Sequence, residues 1–162
     1  MAATISSPQV SAFVQFLASI AGANGNLTFN QNVSQALTVG NTAGQANKAY
    51  QAALTVSTGT PLSIDLASLT DVTGAAITLT HVTTIVITNN STTTGQDLTI
   101  GGGSNPLSAS VAGVASANGG FMVNHNPAVG YVYNASTAHL IQITAAAGTN
   151  VPLTITILGR DA

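Results

Sequence analysis

Cysteine, tryptophan and glutamate are absent from this 162-residue chain, and only six side chains carry a formal charge: Lys48, Arg160, Asp65, Asp71, Asp97 and Asp161. Without cysteine there is no disulfide framework, no thiolate zinc site and no iron–sulfur cluster. The same absence leaves the redox compartment open. Two cations cannot neutralise a run of phosphates, which excludes nucleic-acid binding through a basic surface. No apolar run reaches the ~18 residues of a membrane span, so no spanning helix is expected. Aromatic residues make up 4% of the chain, few for a surface that stacks on sugars.

What fills the chain is small, polar and uncharged. Ser, Thr, Asn and Gln number 59, and Ala plus Gly another 42. Leu, Ile, Val and Phe number 42, or 26%, above the roughly 20% below which disorder is expected. The length suits one domain with a real core. Its surface polarity must then come from hydroxyls and amides, because charged residues are 4% against about 25% in ordinary domains. Copies with such a surface repel each other little, and close self-packing follows easily.

Residues 1–26 read as an N-terminal arm and helix, and 27–162 as the main domain. Ser7-Pro8 is a good helix start. Val10, Phe13, Val14, Leu17 and Ile20 then follow helical spacing, with Phe16 beside them. Gly22 and Asn24-Gly25 close it. One short amphipathic helix is expected over 8–21, with Phe13, Phe16, Leu17 and Ile20 as its apolar anchor for an interface or as a cap on the domain's own core. The stretch AFVQFLASIAGA has the apolar heart of a signal peptide, but no Lys or Arg precedes it, so the helix is preferred.

From residue 27 the pattern is strands. Leu27 and Phe29 alternate with polar neighbours. YQAALTVS at 50–57 and PLSIDL at 61–66 flank Thr58-Gly59, and Leu62, Ile64 and Leu66 share one face with Asp65 on the other. ITLT at 77–80 and VTTIVIT at 82–88 are rich in β-branched residues. DLTI at 97–100, FMV at 121–123, YVY at 131–133, LIQIT at 140–144 and 151–158 complete the set. The spacing of eight or nine short strands predicts an all-β fold, a sandwich or a barrel; an antiparallel, jelly-roll-like β-sandwich of about eight strands is the expected form. Residues 31–49 and 101–119 resist assignment and are read as long loops.

No catalytic constellation emerges. His81, His125 and His139 lack metal-ligand spacing, and no HExxH is present. His125, in the turn-rich NHNP, is the most ligand-facing of the three. Asp65, Asp71 and Asp97 would form a carboxylate pair only through long-range folding, and Asp71 and Asp97 sit at ordinary turn positions. Ser104 in GGGSNP lacks the G-x-S-x-G pattern. The triple glycine lacks the GK[ST] of a P-loop and reads as a turn needing positive φ. The protein is therefore expected not to be an enzyme and to need no metal or cofactor.

The stretch LSIDLASLTDVTGAAITLTHVTTIVITNNSTTTGQDLTIGGGSNPL, followed by GGFMVNHNPAVGYVY and a final LTITILGR, resembles a group of small virion structural proteins of tailed bacteriophages. The resemblance spans about residues 50–160. It implies a non-enzymatic β-sandwich in the virion, a head decoration or cement protein. Such proteins bind the major capsid protein or another virion protein, often as a dimer or trimer. Two other readings compete. One is an extracellular pilin-like filament subunit built by strand addition. The other is a glycan-binding adhesin or tail-tip domain, for which Tyr50, Tyr131 and Tyr133 are the only tyrosines.

Overall fold

A computed structural model describes residues 9–19, 26–36, 38–71, 73–124, 129–146 and 150–162; for 9–19, 26–36 and 124 the description is of the backbone. Every regular element among them is a strand: β1 Gln9–Ser19, β2 Asn26–Ala36, β3 Thr38–Val39, β4 Gln45–Ala46, β5 Lys48–Val56, β6 Leu62–Asp65, β7 His81–Asn89, β8 Leu98–Ile100, β9 Gly113–Ala115, β10 Gly120–Asn124, β11 Tyr131–Val132, β12 Leu140–Ala145 and β13 Val151–Arg160. No helix among the described residues is long and apolar enough to cross a membrane.

Nine of these strands form two main sheets. The first runs β10-β7-β13-β5, with β11 also on β7; the second runs β6-β12-β8-β9. All their strand pairs are antiparallel. β7 and β13 take the middle of the first sheet because they hold the longest runs of β-branched residues, which pack well on a pleated surface. Along β13, Val151, Leu153, Ile155 and Ile157 are almost wholly buried, while Thr154 and Thr156 on the alternate face are half-exposed. On β12 the same alternation buries Ile141 and Ile143.

The inward faces of both sheets meet in one apolar cluster. Val56, Ile85, Ile87 and Ile155 come from the first sheet, and Ile64, Leu98, Ile100 and Ile143 from the second. Each such side chain, taken fully out of water, contributes roughly 1.5–3 kcal/mol of transfer free energy. Loop residues complete the cluster: Leu69, Ile77 and Leu79 before β7, and Leu107 and Val111 before β9. Thus the segment 101–119, expected as a loop, is pinned at two apolar points and contains strand β9. ITLT at 77–80 buries Ile77 and Leu79 but joins no named strand.

Two backbone devices shape the sheets. Gly101, Gly102 and Gly103 all have positive φ (105°, 81° and 76°), as the sequence led us to expect. A Cβ on Gly101 would lie 2.9 Å from that of Ala112. At the other end, the register of β13 on β7 shifts between Leu158 and Gly159. A Cβ on Gly159 would collide with the carbonyl of His81, so glycine is what lets the bulge form.

The stretch read as a helix over 8–21 falls partly outside the described residues; within it the backbone of Gln9–Ser19 runs as a strand paired antiparallel with Asn26–Ala36. Positions 8, 20 and 21, with Ile20 among them, lie outside the described residues. This stretch also carries a partial period of two: Val10, Ala12, Val14, Phe16 and Ala18 take one set of alternate positions, and Gln9, Ser11, Phe13, Gln15, Leu17 and Ser19 the other. The register sets Phe16 opposite Phe29 and Ala18 opposite Leu27.

Candidate interaction surface

The broadest surface is the outer face of the first sheet. Two successive rows cross its open part, Gln51–Thr156–Val86–Met122 and Ala53–Thr154–Thr88–Gly120, and a third, Ala49–Leu158–Thr84–Asn124, is closed over, with Thr84 1% exposed. None of these positions is ionisable. Gln51 Nε2 donates to Thr156 Oγ1 at 3.4 Å, and Asn90 Nδ2 to Thr154 Oγ1 at 2.9 Å, so the polar groups are tied laterally. Met122 and, on β11, Val132 are exposed. On the outer face of the second sheet Thr144, Thr99 and Val114 form one row, with Val114 more than half exposed, and Asp65 stands opposite Leu140 in another.

The few ionic groups sit in turns and at one end of the first sheet, and each carboxylate is held by its own chain. Asp65 Oδ1 accepts from the Ala67 N–H at 2.8 Å. Asp71 Oδ1 accepts from the Thr73 N–H (2.8 Å), the Thr73 hydroxyl (2.6 Å) and the Ala75 N–H (3.0 Å), closing a tight turn. Asp97 Oδ1 accepts from the Ala117 N–H at 3.1 Å. Asp65 and Asp71 thus fill Asx-type turn roles, and Asp97 ties in the backbone of the 116–119 segment; all three hold backbone. Asp161 pairs with Lys48 Nζ at 3.0 Å and accepts from Asn47 Nδ2 at 2.7 Å. The Asn47 hydrogen bond, then that from Lys48, holds the Asp161 carboxyl below its usual range.

Arg160 is buried beside this pair. Its Nε donates to the Ala162 carbonyl at 2.9 Å and its Nη2 to that of Val129 at 3.3 Å. His81, opposite it in the ladder, has Nδ1 at 2.9 Å from the Thr80 hydroxyl. Burial, and then the nearby Arg160 charge, pushes the His81 imidazole below its usual value. His139 is elsewhere, between β6 and the 105 loop: its N–H donates to Asn105 and its carbonyl accepts from Leu66. Its Nδ1 is buried and unpaired.

The structure does not bring the histidines and aspartates into one site. Among the described residues no group of three or more His, Cys, Asp or Glu is placed to hold a metal. His125 lies outside the described residues. Ser104 is exposed in the glycine turn. Of the expected anchor, Phe13, Phe16 and Leu17 stand on β1 and Ile20 lies outside the described residues.

Two hollows remain. One, of about 410 Å³, is lined by Thr92, Thr94, Gly95, Asp97, Ser116 and Ala117, with hydroxyls and one engaged carboxylate but no aromatic ring. The other, about 220 Å³, opens between β5 and β6 against Tyr50, Leu54, Leu62, Ile64 and Leu69. Sequence reasoning missed the polar knot beneath the first. Buried Asn89 donates through Nδ2 to the carbonyls of Gln96 (2.7 Å) and Ala115 (3.0 Å) and accepts at Oδ1 from the Ser91 N–H (3.0 Å). The only signal was the Asn89-Asn90 pair at a strand end, which reads as a turn. No family model, curated protein or solved structure matches the chain.

Proposed function

We propose that the protein is a non-enzymatic structural protein of a virion, a decoration or cement protein that binds the major capsid protein lattice as a dimer or trimer. Its two sheets are the layers of a jelly-roll-like sandwich in this reading. The observation that carries it is the outer face of the first sheet, whose cross-strand rows hold no ionisable group, alongside aspartates that are each engaged by a backbone N–H or in an ion pair. A chemical reaction needs groups free to exchange protons or hold charge. A covering protein needs shape and a face that loses little on drying.

Burying an unpaired charge at an interface costs several kcal/mol, whereas Thr and Ala impose no such cost. Weak contacts by each copy then add up on a repeating lattice. Electron microscopy of the native particle tests the reading. A fixed number of copies per capsomer is expected; protein recovered only free of any shell overturns it. The unpaired edge of β5 also favours a filament subunit, for which polymerisation of purified protein without a shell is the expected result.

A further inference from the structure

We infer that the β1–β2 hairpin of one copy adds as strands to the free edge of β5 in a second copy and covers the cleft between β5 and β6. The inference needs only self-association, so it stands or falls apart from the virion reading. β5 is nine residues long and is bonded to β13 on one side; among the described residues no strand pairs with its other side. Edges of that kind are normally blunted by proline, bulges or inward charge. β5 has no proline, pairs with β13 without a bulge, and carries one charge, Lys48 at its first position, already paired with Asp161.

The core is also thin on this side. Tyr50, Ala52 and Leu54 pack on the apolar cluster but stay half-exposed, whereas their partners Ile157, Ile155 and Leu153 on β13 are fully buried. The cleft beside them joins the apolar Leu54, Leu62, Ile64 and Leu69 to a polar rim of Ser63, Asp65, Ser68 and Thr70.

The occupant is chosen by what the chain leaves unpaired. Among the described residues β1 and β2 pair only with each other. A two-stranded hairpin alone is marginal in water and needs a further strand or an apolar surface. Each of its strands is eleven residues long, enough to run the whole length of β5. The ladder sets Val10, Ala12, Val14, Phe16 and Ala18 opposite Gln35, Val33, Gln31, Phe29 and Leu27, which are positions of one face. The opposite face is mainly Gln, Ser, Asn and Thr, with Phe13, Leu17 and Ala36 among them. Added beside β5, the hairpin continues the inward apolar face over the cleft and the polar face outward past Gln51. No charge on either strand opposes it apart from the paired Lys48.

The absence of native cysteine makes the test clean. Ser11→Cys, Gln15→Cys and Ser19→Cys are each mixed with Gln51→Cys in the full-length protein under mild oxidation. A disulfide joining the two different variants is expected for at least one pair, and it reports contact between copies. Phe16→Asp in the same background is expected to abolish that product and to weaken self-association by at least about tenfold, with the far-UV strand signal and thermal transition of the main sheets retained. A protein that sediments as a monomer, an oligomer that yields no mixed disulfide, or a mixed disulfide that survives Phe16→Asp each overturns the inference.

Discussion

Asn89 offers a sharp test of the architecture because one side chain holds three segments together. It is 1% exposed. Its amide ties the end of β7 to the 91–97 turn and to β9 through three hydrogen bonds of 2.7 to 3.0 Å. Asn89→Leu keeps the volume and removes all three. Each net hydrogen bond is worth about 1 kcal/mol, and each buried partner left unsatisfied costs a further 1–3 kcal/mol. Some of the freed carbonyls regain water through the nearby polar hollow. The loss is then about 4 kcal/mol, a large fraction of a typical 5–15 kcal/mol total. At ~2–4 °C per kcal/mol for a domain of this size, Tm falls by about 10 °C. Far-UV circular dichroism during heating and urea titration measures it, with an unchanged urea slope as the check that the folded state survives. A loss under about 1 kcal/mol would refute the view that Asn89 is the node joining the two sheets' ends.

Other outcomes follow from the same geometry. Gly159→Ala drives a methyl into the His81 carbonyl and to within 2.8 Å of Leu79 Cδ2; a destabilisation of about 1–3 kcal/mol is expected in urea, and a neutral result counts against the bulge. Asp161 has a depressed carboxyl pKa, so its stabilisation is complete above the unfolded-state value of 3.8 and is lost as pH falls through the folded value. Asp161→Asn is therefore expected to flatten the acid limb of Tm against pH, and an identical limb in both proteins argues against the pairing. His81 also titrates below its usual 6.5. As pH drops past that value the unfolded chain takes a proton first, so stability declines there and levels off below the folded pKa. His81→Asn should erase that step; a step of the same size in the variant places its origin elsewhere.

Much of the sheet structure was readable in advance because local patterns agreed with it. The alternation in 50–57, 61–66, 82–88, 140–144 and 151–158 reappears as β5, β6, β7, β12 and β13. Where reading failed, the deciding partner lay far away or the local signal was weak. Gln9–Ser19 carries both helical and strand periods, and a distant partner enters through the pairing Gln9↔Ala36 to Ser19↔Asn26. Gly113–Ala115 offers one β-branched residue, Val114, and becomes a strand through Leu98↔Ala115 and Thr99↔Val114. ITLT at 77–80 looked like a strand because its apolar residues alternate; they do face inward, but no neighbouring ladder receives them. The turn role of Asp71 was legible from its neighbours; the bond from the Ala117 N–H to Asp97 was not, because it reaches across the fold. The knot around Asn89 was not, since nothing in Asn89-Asn90 tells which amide turns inward.

The ion-poor sheet faces also govern how molecules of this protein meet. With a formal net charge of −2 and no charged lobe on either broad face, no long-range field orients an approaching partner. Encounters then proceed at the unsteered rate, about 10⁵–10⁶ M⁻¹s⁻¹. Ionic strength has little to screen. Raising sodium chloride should leave any association of this surface nearly unchanged, and sulfate should tighten it by favouring exclusion of water from apolar area.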